Sequence, residues 1–160
     1  MRELTEYRVK LLDRLEAAAV EFRAACLAAR KPYDPIEKSG WSVHQVAVHT
    51  RDVDKLVYGA RVRRTLAEDN PRFENFDGDG YMSQHYAPDE ALQPLLEGFE
   101  ASVRSLVRIL REMPAAGWSR LSSHETQGSG LTLQMWVERS LGHIEEHLDS
   151  VKNGAGLPKE

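Results

Sequence analysis

His143 and His147 stand four residues apart in a run whose apolar residues recur at helical spacing, so both rings project from one helix face, one turn apart. A pair at this spacing can chelate one transition-metal ion. Alone, the pair reads equally well as two surface histidines that coincide. A third imidazole changes the balance, because His49 lies on the inward stripe of a different amphipathic segment, beside Val46 and Val53. His49 follows a helix start at Ser42 by seven residues, about 10 Å of axial rise. The midpoint of His143 and His147 lies seven residues before Lys152, near the end of its own segment. Antiparallel packing of the two helices brings the three rings to one level. Three protein ligands leave coordination positions open, as in catalytic rather than closed structural zinc sites. A thiol or a water bound there would lose its proton near neutral pH, so S-transfer and hydrolysis are both open chemistries. Three imidazoles suit zinc, nickel, copper and iron alike, so the donor set leaves the ion open.

Two other histidine chemistries do not fit. The zinc-protease pattern needs Glu directly after the first His, whereas this chain reads His143-Ile144-Glu145-Glu146-His147. Di-iron bundles need Glu three residues before His, and the residues there are Val46, Ser140 and Ile144.

The elements that must hold these side chains are helical. Leu4, Tyr7, Leu11, Leu15, Ala18, Phe22 and Cys26 predict a helix over residues 3–29, stopped by Pro32 and Pro35. Ser42 and Gln45 form a capping-box pair, with Trp41 and Val46 as its hydrophobic staple, opening a second helix to about Ala67. Residues 68–88 carry Pro71, Gly78 and Gly80 without a sustained period, and are long enough for a crossover. A third helix follows through Leu92, Leu95, Phe99, Val103, Leu106 and Leu110, with Asp89 as its expected cap and Pro94 just inside. Thr132 caps a fourth, whose core face runs Leu133, Val137, Leu141, Ile144, Leu148 and Val151 to a stop at Gly154. No strand-like alternation and no internal repeat is visible. The expectation is an all-α four-helix bundle, one domain over residues 1–160, in up-down-down-up order with the long crossover between helices 2 and 3.

Composition narrows the function classes. The chain has 160 residues, 41% of them apolar, and 21 Lys+Arg against 25 Asp+Glu, a net charge of −4. An acidic chain without a basic block is a poor candidate for nucleic-acid binding, which depends on positive surface. No apolar run approaches the roughly 20 residues of a membrane span. The charged N-terminus is no secretory signal, and a lone cysteine, Cys26, suits a reducing compartment. The expected setting is the cytoplasm, without nucleic-acid or membrane partners. Among the other residues, Asp77-Gly78-Asp79-Gly80 reads as a turn, because a calcium loop needs further oxygen ligands. If the crossover ends near His49, Tyr81, His85 or Tyr86 could line the pocket. His44 and His124 read as solvated, His124 at the opposite end of the bundle, Cys26 as core, and Arg61, Arg63 and Arg64 as a solvated face.

Two motifs carry a resemblance that spans residues 4–152. The segment Trp41-Ser42-Val43-His44-Gln45-Val46-Ala47-Val48-His49 and the segment Gly142-His143-Ile144-Glu145-Glu146-His147-Leu148 resemble the Trp-Ser plus helical His, and the terminal Gly-His-x-x-x-His, of the DinB/YfiT-like metalloenzyme family. The resemblance implies an up-down-down-up four-helix bundle and a divalent ion, nickel or zinc, held by His49, His143 and His147. It also implies a small-molecule substrate and a homodimer. Some relatives are S-transferases that use a low-molecular-weight thiol, bacillithiol, mycothiol or glutathione, and one branch isomerises maleylpyruvate with mycothiol. The leading expectation is a metal-dependent thiol S-transferase. The alternatives are a metal-dependent hydrolase and a non-enzymatic, stress-related bundle that binds metal or ligand.

Overall fold

The computed structural model describes residues 1–36, 38 and 40–154, so the last six residues of the expected 1–160 domain lie outside the description. Helix α1 spans Arg2–Ala28. Its first two turns stand clear of the core, with Leu4 and Tyr7 exposed, and its buried stripe begins at Leu11 and runs through Leu15, Ala18 and Phe22 to Cys26. The second expected helix is one rod in three pieces: α2 (Val43–Val53), a π-helical turn (Asp54–Tyr58) and α3 (Gly59–Ala67). Ser42 Oγ accepts from the Gln45 amide at 3.2 Å and Gln45 Oε1 accepts from the Ser42 amide at 3.0 Å, the reciprocal cap expected from the sequence.

Helix α4 (Gly78–His85) lies inside the segment that shows no helical period in the sequence. It is short and only Met82 on it is buried, so it has almost no apolar stripe to read. Asp77 opens it by accepting from the Gly80 amide at 3.0 Å, so the expected turn is a helix start. Helix α5 spans Leu92–Glu112 and begins after Ala91, not at Asp89. Pro94 is its third residue, where a missing N–H costs no helical bond. Helix α6 spans Leu133–Gly154, with Thr132 Oγ1 accepting from the Met135 amide.

The described residues also contain a small sheet that the sequence does not announce: β1 (Arg72–Phe73), β2 (Leu121–His124) and β3 (Gly128–Thr132), in the order β1-β2-β3. The strands are two, four and five residues long, too short to alternate legibly. Gly128 and Gly130 adopt φ of +89° and +72°, conformations that side chains resist. The sheet is sewn to the bundle at Trp136, whose Nε1–H donates to Ser122 Oγ at 2.8 Å and whose ring meets Phe73 edge-on at 5.7 Å.

Helix α1 packs on α5 and α6, and the α2–α3 rod packs on the same two helices. Phe22 meets Phe99 edge-to-face at 5.5 Å in the centre of the resulting core. Cys26 is buried there, and burial pushes its thiol up to about 12, so it is an inert packing residue. No described helix is long and apolar enough to cross a membrane.

Candidate metal centre

The capping box fixes where α2 starts and therefore where His49 points. Trp41, just before the cap, covers the His49 ring at 4.9 Å between centroids. On another side α4 begins against it: a Cβ placed on Gly78 would stand 3.1 Å from His49 Cε1, tighter than an ordinary contact, so a side chain there would have to shift the ring by a few tenths of an ångström. Helix α6 supplies His143 and His147 one turn apart. Their Nε2 atoms are 3.1 Å from each other, and His143 Nε2 is 3.3 Å from His49 Nε2. The three ligand atoms lie within 4.8 Å of one another on part-buried side chains. The structure thus brings together the three histidines singled out by their spacing.

These contacts are poorly satisfied as hydrogen bonds. A neutral imidazole Nε2 has one in-plane position, holding either a proton or a lone pair. His143 Nε2 faces two other Nε2 atoms and can bond well to only one of them. A cation resolves the conflict. A tetrahedral zinc ion with Zn–N near 2.0–2.1 Å spaces its ligand nitrogens about 3.3 Å apart, which matches the two separations made by His143. The protonation states also fit. Burial, then repulsion from His147, lowers His49 to about 4, and burial with repulsion from His147 and His49 lowers His143 to about 3. Both rings are neutral at pH 7, the form that coordinates metal.

Two hollows reach His143. One, of about 280 Å³, lies between the three-piece rod, the start of α4 and the sheet, and contains His49, Tyr58, Arg61, Asn75, His124 and Gln127 on its walls. The other, open and about 580 Å³, runs along α6 past Met135, Gly142 and Glu146. Tyr58, at 5.5 Å from the His143 ring, stands between them.

The other histidines differ from expectation. His44 is fully buried rather than solvated, with Nδ1 2.7 Å from Tyr86 Oη and Nε2 2.7 Å from the Glu90 carbonyl. His124 is 4% exposed and lies beside the site, not at the far end of the bundle, because β2 pairs with β1 and turns back over the rod. Arg61 is likewise buried rather than on a solvated face, whereas Arg64 keeps an outer position, paired with Glu68. Of the expected pocket residues, Tyr81 and His85 stack on each other at 4.0 Å on α4, and Tyr86 bonds His44. Tyr58, Arg61 and His124 are the wall residues that sequence reading did not select. The π-helical turn that ends at Tyr58 and precedes Arg61 leaves no mark in residue type.

No family model matches the chain and no curated protein matches it. Among solved structures, YfiT from Bacillus subtilis, described as a probable metal-dependent hydrolase with an unusual four-helix bundle topology, superposes with a TM-score of 0.76. The match has 20% sequence identity and covers 96% of this chain and 90% of that one. The likeness is one of fold: this chain folds as the four-helix bundle of YfiT does.

Proposed function

We propose that the chain is a divalent-metal-dependent enzyme that acts on a small molecule through His49, His143 and His147, with hydrolysis as its reaction class. The observation that carries this reading is the convergence of three imidazole Nε2 atoms, with separations of 3.1 and 3.3 Å, beside a hollow. A divalent ion held there would act as a Lewis acid and lower the proton affinity of a coordinated water or thiol. The chain's own residues do the rest. His49, His143 and His147 present lone pairs, Trp41 and Gly78 hold the His49 ring in place, and Tyr58 carries a phenol to the edge of the hollow. The description of the YfiT fold as a probable metal-dependent hydrolase favours hydrolysis.

A thiol S-transferase is the second reading. Cys26 is buried with its thiol pushed up to about 12, so any thiolate must come from a low-molecular-weight co-substrate. The two separate hollows that meet at His143 offer room for two reactants. Stripping the chain, reloading it with zinc or nickel, and assaying ester and amide hydrolysis beside thiol conjugation to an electrophilic dye separates the readings. Hydrolysis that depends on added metal and disappears in His143→Ala is the expected result. Turnover unaffected by chelation contradicts the proposal.

The proposal includes the up-down-down-up order. It is supported by the constant offset of 131 residues between Tyr7 and Glu138 and between Arg14 and Glu145, as parallel helices give. It is supported also by Arg23 pairing with Glu97 while Asp13 pairs with Arg111, as antiparallel helices give. A homodimer belongs to the same proposal, supported by Leu4, Val20 and Leu27, left exposed on α1. Light scattering that gives the 18.1 kDa monomer mass contradicts it.

A further inference from the structure

Arg61 is a buried charge without a counter-charge. The residue is 7% exposed, yet among the described residues its guanidinium meets no carboxylate. Nη2–H donates to the Glu74 carbonyl at 2.9 Å, and the flat group lies over the rings of Trp136 at 4.7 Å and Phe73 at 5.7 Å. Arg139, 5.3 Å from the same Trp136 ring, adds a second positive charge nearby. A buried ion ordinarily carries a paired opposite charge, because its desolvation otherwise goes uncompensated.

His124 extends the same donor surface. Its Nδ1 accepts from the backbone N–H groups of Thr126 at 3.2 Å and Gln127 at 3.3 Å, which places the proton of the neutral ring on Nε2. That Nε2–H stands 3.4 Å from Arg61 Nη2. Two donors cannot bond to each other, so they lie side by side with the Glu74 carbonyl as their common neutral acceptor. Both residues line the hollow of about 280 Å³ that contains His49 and His143, and no described Asp or Glu is on its wall. The wall is therefore positive before any metal enters, and more so with one.

We infer that Arg61, with His124 beside it, anchors the carboxylate of a small substrate whose other end reaches the three histidines. The planar guanidinium fork matches a carboxylate in a way that a point charge does not, and the aromatic face of Trp136 fixes its plane. A hollow of about 280 Å³ is at or below the lower end of the usual ligand-pocket range of about 300–1,000 Å³, which limits the acid to a short one. The inference rests on the proposed metal centre for the far end of the substrate. The anchor itself belongs to the metal-free protein and can be tested there.

The test is a titration of the metal-free full chain with propionate, with its uncharged near-isostere propionamide, and with inorganic phosphate, followed at the Thr126 and Gln127 amides by NMR. The expected result is propionate binding at least tenfold tighter than propionamide and tighter than phosphate. In Arg61→Gln the preference for propionate over propionamide is expected to vanish, while zinc affinity stays within threefold of wild type. Because Arg61 also ties Glu74 to α3, the wild-type comparison decides the question even if that variant does not fold. Equal binding of propionate and propionamide by wild type overturns the anchor, as does tighter binding of phosphate. So does a folded Arg61→Gln that keeps the preference. Zinc failing to bind wild type defeats the metal centre alone and leaves the propionate result standing.

Discussion

His44 and His49 stand five residues apart on α2, and their environments are opposites. Both nitrogens of His44 have fixed partners, a tyrosine hydroxyl and a backbone carbonyl, and its ring stacks on Tyr33 at 4.9 Å. His49 instead turns its Nε2 toward His143, another imidazole. The first arrangement satisfies a buried polar ring and joins α2 to the segment before α5. The second leaves lone pairs gathered without enough protons to share. What separates a structural histidine from a ligand is where its nitrogens go, and residue type or helical position alone does not reveal it.

The contrast can be broken by substitution. His143→Ala and His147→Ala should each lower zinc affinity by at least about 100-fold, the loss of one of three nitrogens and of the preset geometry, with little effect on folding of the metal-free chain. Calorimetric titration checks this, and retained affinity in either variant removes that residue from the site. His44→Ala should do the reverse. It empties a buried ring and removes the bonds to Tyr86 Oη and the Glu90 carbonyl, costing about 2–4 kcal/mol in urea unfolding. Zinc affinity of the folded variant should stay within threefold. A His44→Ala protein of wild-type stability would show that its bonds contribute nothing.

Acid sharpens the comparison. With metal absent, His49 at about 4 and His143 at about 3 bind fewer protons when folded than when unfolded, where the ordinary value is near 6.5. Their contribution to stability is complete above pH 6.5 and is lost as pH falls toward those values. His124, also lowered by burial, adds to the loss. Asp54 acts oppositely: burial raises it to about 6, so its contribution is present below 3.8 and is lost as pH rises through 6. Several histidines outweigh one carboxyl. The urea midpoint should therefore fall from pH 7 to pH 5, and more steeply in Asp54→Asn. A midpoint that rises on acidification contradicts these assignments. The smallest effect is expected for Ser42→Ala, about 1 kcal/mol from the lost cap, with zinc binding weakened at most slightly because the rest of α2 holds His49 in phase.

How far the sequence reaches is best seen along that same rod. Up to Val53 the pattern is regular, and the cap at Ser42 makes His49 legible from spacing alone. Beyond it the five-residue π-helical turn adds a residue, so Arg61 and Thr65 turn inward where an unbroken phase from Val53 would bring Ala60 and Arg64. Gly59 marks the insertion: a Cβ there would stand 2.4 Å from the displaced Asp54 carbonyl oxygen. A single glycine in a helical run does not announce this, and Arg61 reads as surface for that reason. His124 is missed for a different one. Its burial depends on strands of two to five residues, one of which, β1, pairs Phe73 with His124 across a long sequence separation, which no local period encodes. Helix α6 gives no such trouble, since its phase is unbroken from Thr132 to the histidine pair.

Two helices nearly a hundred residues apart are proposed to build one metal site, and His49→Ala decides between this site and one on α6 alone. Zinc should be titrated by calorimetry at neutral pH into metal-free wild type, His49→Ala and His143→Ala. One site per chain is expected in wild type, with an equal, at least about 100-fold, loss of affinity in the two variants. Wild-type affinity in His49→Ala beside a large loss in His143→Ala would contradict it, and would assign the ion to the His143–His147 pair with some other partner.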